Sequence, residues 1–168
     1  MTEIPIRVLD LEIDNEAIED VLTETLGAFL VTGSEPVCRL SIFVEHGEVV
    51  EQAVGLVREL QERLPAATFL DVDRDLVGSS QIAQRIGVSR EAVRKWTHLQ
   101  SFPIGQANLD GQGKQLWVWT QIVDWVEQYR GLDLEEALPT LDEITAIEFG
   151  ILTARKQSKR ERHSSTEN

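Results

Sequence analysis

Apolar and polar residues change their period several times along the 168 residues, and each change marks a predicted element. The stretch "IPIRVLDLEI", residues 4–13, alternates through Ile4, Ile6 and Val8 toward Leu11 and Ile13, the two-residue period of a half-buried strand. Asp14 and Asn15 then offer a cap, and Ile18, Val21, Leu22 and Leu26 fall at helical spacing until Gly27 stops the helix. "AFLVTG" and "VCRLSIFVEHG" read as two strands joined by the turn "GSEP". "EVVEQAVGLVRELQERLP" carries Val50, Val54, Val57, Leu60 and Leu64 on one helical stripe and ends at Pro65. "ATFLDV" supplies a last strand. The order β-α-β-β-α-β predicts a ferredoxin-like sandwich over residues 1–73, a fold that hosts many functions and identifies none.

After a short linker, "DRDLV", the pattern shortens. In "SSQIAQRIGVSREAVRKW", residues 79–96, Ile82, Ile86, Val88 and Val93 form a shared apolar core for two short helices. Ala83 gives the small side chain needed where two such helices cross. Gly87, four residues on, gives the tolerance of positive φ that the turn needs. Ser79 or Ser80 is placed to cap the first helix and Ser89 the second. Val93 and Trp96 face inward, which leaves Arg90, Glu91, Arg94 and Lys95 outward. Guanidinium and ammonium groups on one helix face are the chemistry that touches phosphates and base edges. Further on, Leu141, Ile144, Ile147, Ile151 and Leu152 predict an amphipathic helix from about residue 140, and the polar tail "RKQSKRERHSSTEN" is expected to be disordered.

Charge sharpens the division. The chain carries a net charge of −13. Residues 1–76 hold 17 of its 29 acidic and 5 of its 16 basic residues, whereas residues 77–131 hold 4 and 6. The segment with the two short helices is thus mildly basic inside an acidic protein, a domain-boundary signal. No stretch approaches the ~18 apolar residues of a membrane span. The acidic start "MTEIPIRVLDLEID" lacks the apolar core of a signal peptide, so a cytoplasmic location is expected. Cys38 is the sole cysteine, which excludes an internal disulfide and a cysteine-based zinc site. No Gly-rich phosphate loop, metal cluster or nucleophile–base pair is visible, and neither a cofactor nor an enzymatic activity is expected. His46, beside Gly47, reads as a solvated turn residue, and Arg85 as a solvated face residue.

"LVGSSQIAQRIGVSREAVRKW" followed by "SFPIGQANLDGQGKQLWVWTQIVDWVEQY" resembles the excisionase-like and MerR-like winged helix-turn-helix domains over about 55 residues. In that family the recognition helix is followed by a Phe-Pro element, a two-stranded wing, and a strand bearing Trp or Tyr that runs into a helix. Here Phe102 and Pro103 match the first element. "LDGQGK", residues 109–114, matches the wing tip, and "LWVWT", residues 116–120, the returning strand, with Thr120 as cap of the next helix. The resemblance implies double-stranded DNA as partner, with the helix at residues 89–99 in the major groove and the wing at residues 105–116 on the backbone. It implies base or phosphate contacts from Ser89, Arg90, Arg94 and Lys95, and a wing contact from Lys114. His98, near the helix end, is a further candidate contact or a capping residue. Trp117, Trp119 and Trp125 read as core rather than as a stacking platform.

The expected architecture is therefore α+β: a ferredoxin-like domain at 1–73, a winged helix-turn-helix at 76–131, and an acidic helix with a basic tail at 132–168. The expected function is sequence-specific DNA binding, as a transcriptional regulator. The acidic N-terminal domain is expected to pair two copies as a homodimer or to receive a protein partner. The alternative is a protein-interaction module, an antitoxin or adaptor, whose winged helix contacts protein.

Overall fold

The computed structural model describes residues 1–108 and 114–166 as an α+β protein. Two compact units emerge. The first joins Met1–Asp73 to Ala137–Asn168, and the second is Arg74–Glu136.

The first unit contains strands β1 (Thr2–Leu9), β2 (Phe29–Ser34), β3 (Val37–Val44) and β4 (Thr68–Val72) in one antiparallel sheet, order β2-β3-β1-β4. Helices α1 (Glu16–Leu26) and α2 (Val49–Arg63) connect them. The strand alternation has its expected consequence: Ile4, Ile6 and Val8 of β1 and Leu40 and Ile42 of β3 are fully or almost fully buried against Leu22 of α1 and Val57 and Leu60 of α2. Asn15 caps α1, its side chain accepting from Ala17 N at 3.1 Å, and Gly27 ends it at φ 69°. The first strand stops at Leu9 instead of running on, because Asp10 turns the chain at φ 57°. Leu11 still reaches the core, while Ile13 is exposed. Cys38 is buried, and burial pushes its thiol above the ordinary range. His46 lies exposed in the turn after β3, as read, with its Nδ1 2.9 Å from Thr2 Oγ1.

The last helix, α6 (Leu141–Thr166), belongs to this unit. Ile144, Ile147 and Ile151 join the sheet core, so the apolar stripe read after residue 140 is spent inside the unit. Gly150 explains how α6 comes so close to α2: a Cβ there would lie 2.8 Å from Val54 Cγ1 and nearer still to Cγ2. The helix also continues through Arg155, Lys156, Lys159 and Arg160, the segment that composition alone marks as a disordered tail. Among the described residues, no helix is long and apolar enough to cross a membrane.

The second unit begins with a strand that the sequence hides in its linker. β5 (Leu76–Val77) pairs antiparallel with β7 (Gln115–Val118), which also pairs with β6 (Ala107–Asn108). Two residues are too few to show a period, which is why "DRDLV" reads as linker. Helices α3 (Ser79–Ile86), α4 (Arg90–Trp96) and α5 (Trp119–Arg130) complete the unit. Ile82, Val93, Val118, Ile122 and Val126 are fully buried and form its centre. Two caps differ from expectation. The N-cap of α3 is Gly78 rather than a serine, with Gln81 Oε1 accepting from Gly78 N at 2.9 Å. The N-cap of α5 is Val118, so Thr120 lies within the helix and is buried.

Candidate nucleic-acid interface

The turn between α3 and α4 sets the geometry. Gly87 sits at φ 79° and ψ 31°, a left-handed conformation that costs a β-carbon about 1 kcal/mol or more. The N–H groups of Gly87 and Val88 both reach Ala83 O at 3.0 Å, closing the end of α3. Ser89 then caps α4, its hydroxyl accepting from Ala92 N at 3.1 Å. With Val93 buried, the other side chains of α4 divide between its two flanks.

One flank borders a cleft of about 550 Å³, lined by residues of α3, α4 and β7. Arg94, Thr97 and His98 come from α4 and the turn after it. Lys114 comes from just before β7, and Ser79 and Ser80 from the first turn of α3. The first N–H groups of a helix have no partner within it, and its aligned peptide dipoles place partial positive charge there. Two side-chain cations, an imidazole, three hydroxyls and a helix N-terminus therefore surround one volume. That combination suits an oxyanion such as a phosphodiester. Arg94 is held for the present by Glu91, which accepts from its Nε at 3.2 Å and Nη2 at 3.3 Å, with both side chains mostly exposed.

The other flank forms a shallower depression of about 360 Å³, with Ser89, Lys95, Trp96, Leu99 and Arg130 on its walls. The Arg130 guanidinium lies 5.2 Å from the Trp96 ring centre and 5.1 Å from that of Trp125. Of the residues singled out in the sequence, Arg94, His98 and Lys114 are thus brought together, Ser89 and Lys95 lie on the opposite flank, and Arg90 is exposed at the N-terminal end of α4. The sequence reading missed Ser79 and Ser80 as cleft residues and missed Arg130. The only signals available for them were a cap assignment and a charge in the last turn of a helix.

A buried aromatic frame holds these pieces. Phe102 packs edge-on against Trp117 (5.6 Å) and Trp125 (4.9 Å), and Trp125 contacts Trp96 at 5.5 Å. The indole N–H of Trp117 donates to Pro103 O at 3.0 Å, which ties the strand to the Phe-Pro segment after α4. Trp117, Trp119 and Trp125 are each at most 4 % exposed, so they are core and not a base-stacking platform. Arg85 is also structural rather than a free surface charge: it pairs with Asp75 at 2.6 Å and lies 4.8 Å over the Trp119 ring. Of the wing tip read at residues 109–114, residues 109–113 lie outside the described residues and Lys114 lies within them. Among the described residues, no cluster of three or more His, Cys, Asp or Glu is arranged to hold a metal.

Comparison of the chain with protein-family models, with curated proteins and with solved structures finds no match.

Proposed function

We propose that the chain is a sequence-specific double-stranded DNA-binding protein, acting as a transcriptional regulator, with residues 74–136 as a winged helix-turn-helix. In this reading α4 enters the major groove. Arg90 and Arg94 face base edges or phosphates, Lys95 reaches the DNA from the opposite flank of α4, and Lys114 and the first turn of α3 hold the backbone. The observation that carries the reading is the convergence of Arg94, His98, Lys114 and the α3 N-terminus on one cleft beside an exposed helix. The first unit is read as ferredoxin-like, on its β-α-β-β-α-β order and its strand order β2-β3-β1-β4.

The test is selection from random duplex DNA, followed by titration of the selected site and a scrambled duplex at two salt concentrations. Tighter binding to the selected site, with affinity falling as salt rises, supports the proposal. Equal, salt-insensitive or absent binding contradicts it. One observation favours the alternative of a protein-contacting module: Leu99, Ile104 and Tyr129 of the second unit are 44 %, 88 % and 52 % exposed. Under that alternative, selection enriches no duplex.

A further inference from the structure

We propose that the uncovered face of the four-stranded sheet pairs two copies of this chain. This proposal concerns the first unit alone and does not depend on DNA binding.

The strand registers show what that face displays. Side chains opposite the core alternate with it, and they fall into rows across the sheet: Phe43 beside Glu3; Leu30, Ser41 and Pro5; Thr32, Arg39, Arg7 and Asp71; then Ser34, Val37, Leu9 and Thr68. Leu30 is 52 % and Val37 38 % exposed, and Phe43, Pro5 and Leu9 are half-buried among them. Leu30 stands on edge strand β2, a position where an exposed leucine invites association unless charge guards it.

The charges on the face are already matched. Arg7 and Arg39 sit directly opposite each other in the β1–β3 register, an arrangement unfavourable for like charges. Each is neutralised by its own carboxylates. Asp71 grips Arg7 with both oxygens, the Nε bond measuring 2.6 Å, and Arg39 reaches Glu3 at 3.4 Å and Asp73 at 3.8 Å. Ser41, almost fully buried, donates to the same Glu3 carboxylate at 2.6 Å. On its helical side the unit is mostly acidic over α1, with Glu16, Glu19, Asp20 and Glu24, while α2 sets Glu51, Glu59 and Glu62 against Arg58 and Arg63, and Arg63 pairs with Glu24 and Glu59. Two such molecules repel one another through their helical sides. The sheet face carries both signs of charge, paired within each copy, beside exposed apolar side chains, so a second copy meets little net repulsion there.

The size of the face fits a reversible pair. Four strands of eight, six, eight and five residues give roughly 440 Å² per copy, or about 900 Å² for the pair, in the range of weak, reversible interfaces. An area of this size, opposed by the repulsion of two chains of net charge −13, points to a micromolar dimer that tightens as salt screens the repulsion. Its salt dependence is thus opposite in sign to that of DNA binding.

Sedimentation equilibrium of the full chain without DNA, up to about 200 micromolar and at low and moderate salt, reads this directly. The expected result is a monomer–dimer equilibrium that strengthens with salt. Leu30→Glu and Thr32→Glu, both at exposed positions of β2, should each weaken it about tenfold or more, as a charge placed in an apolar interface does. Phe149→Ser, at an exposed position of α6 rather than of the sheet, should leave it unchanged. A strict monomer over the whole range overturns the proposal. So does a dimer indifferent to both β2 variants while their circular dichroism and melting match the parent, or one lost through Phe149→Ser. A monomer that still selects a duplex would remove this interface and leave the DNA reading standing.

Discussion

Arg94, on the cleft, and Glu91, on the opposite flank of α4, form an exposed ion pair one helical turn long. Exposed pairs of this kind contribute little to stability, so the pair acts mainly on what approaches it. In the DNA reading, Glu91 competes with the nucleic acid for Arg94 and also repels phosphates. Glu91→Gln should therefore tighten binding to the selected and the scrambled duplex alike, by about two- to fivefold at low salt, with little change in melting temperature. A titration of the two proteins side by side checks it. Unchanged or weaker binding to both duplexes would place Glu91 away from the DNA. The sequence showed this helix face legibly, since Val93 and Trp96 fix which side is inward. It did not show that Arg94 and Lys95 fall on opposite flanks. Adjacent residues on a helix are about 100° apart, and which flank borders a cleft depends on where α3 and β7 pack.

Elements were legible in proportion to their length. The stripes of α1 and α2 and the alternation of β1 and β3 carry enough repeats to set period and boundary. Two-residue β5 carries none, and the caps of α3 and α5 were misassigned. A neighbouring serine or threonine satisfies the composition rule, but the start of each helix is set by its packing. Gly150 is a further case. Inside a helix, glycine costs about 1 kcal/mol relative to alanine, and the sequence gives no reason for it. The reason is the close approach of Val54. Gly150→Ala should consequently destabilise the protein by about 1–3 kcal/mol despite its better helix propensity. Val54→Ala in the same chain should recover most of that loss, because it removes the two methyl groups in the way. Urea unfolding of the two single variants and the double variant measures the coupling. Additive losses would mean that α6 does not rest on α2 at this point.

At the scale of the molecule, the division by charge was visible in the sequence, but the return of α6 to the first unit was not. An apolar stripe shows that a helix packs without showing against what. Its isoleucines complete the core of α2 and the sheet, so the β-α-β-β-α-β segment is not finished without them. Residues 1–73 expressed alone should keep their secondary structure but melt well below the full chain. A peptide spanning residues 137–166, added in trans, should raise the melting temperature. Far-ultraviolet circular dichroism of the fragment with and without the peptide tests this, and a fragment as stable as the full chain would contradict it. The DNA-binding account meets its most direct test in one titration. The variant Arg90→Ala/Arg94→Ala/Lys95→Ala and the parent are compared on a selected duplex and a scrambled one at two salt concentrations. The account predicts that the variant loses its preference for the selected site, with each bidentate base contact worth about 1–3 kcal/mol. It also predicts a shallower salt dependence, by about one unit per phosphate contact removed. Undiminished affinity and preference in a variant whose circular dichroism matches the parent would remove α4 from the interface and contradict the account.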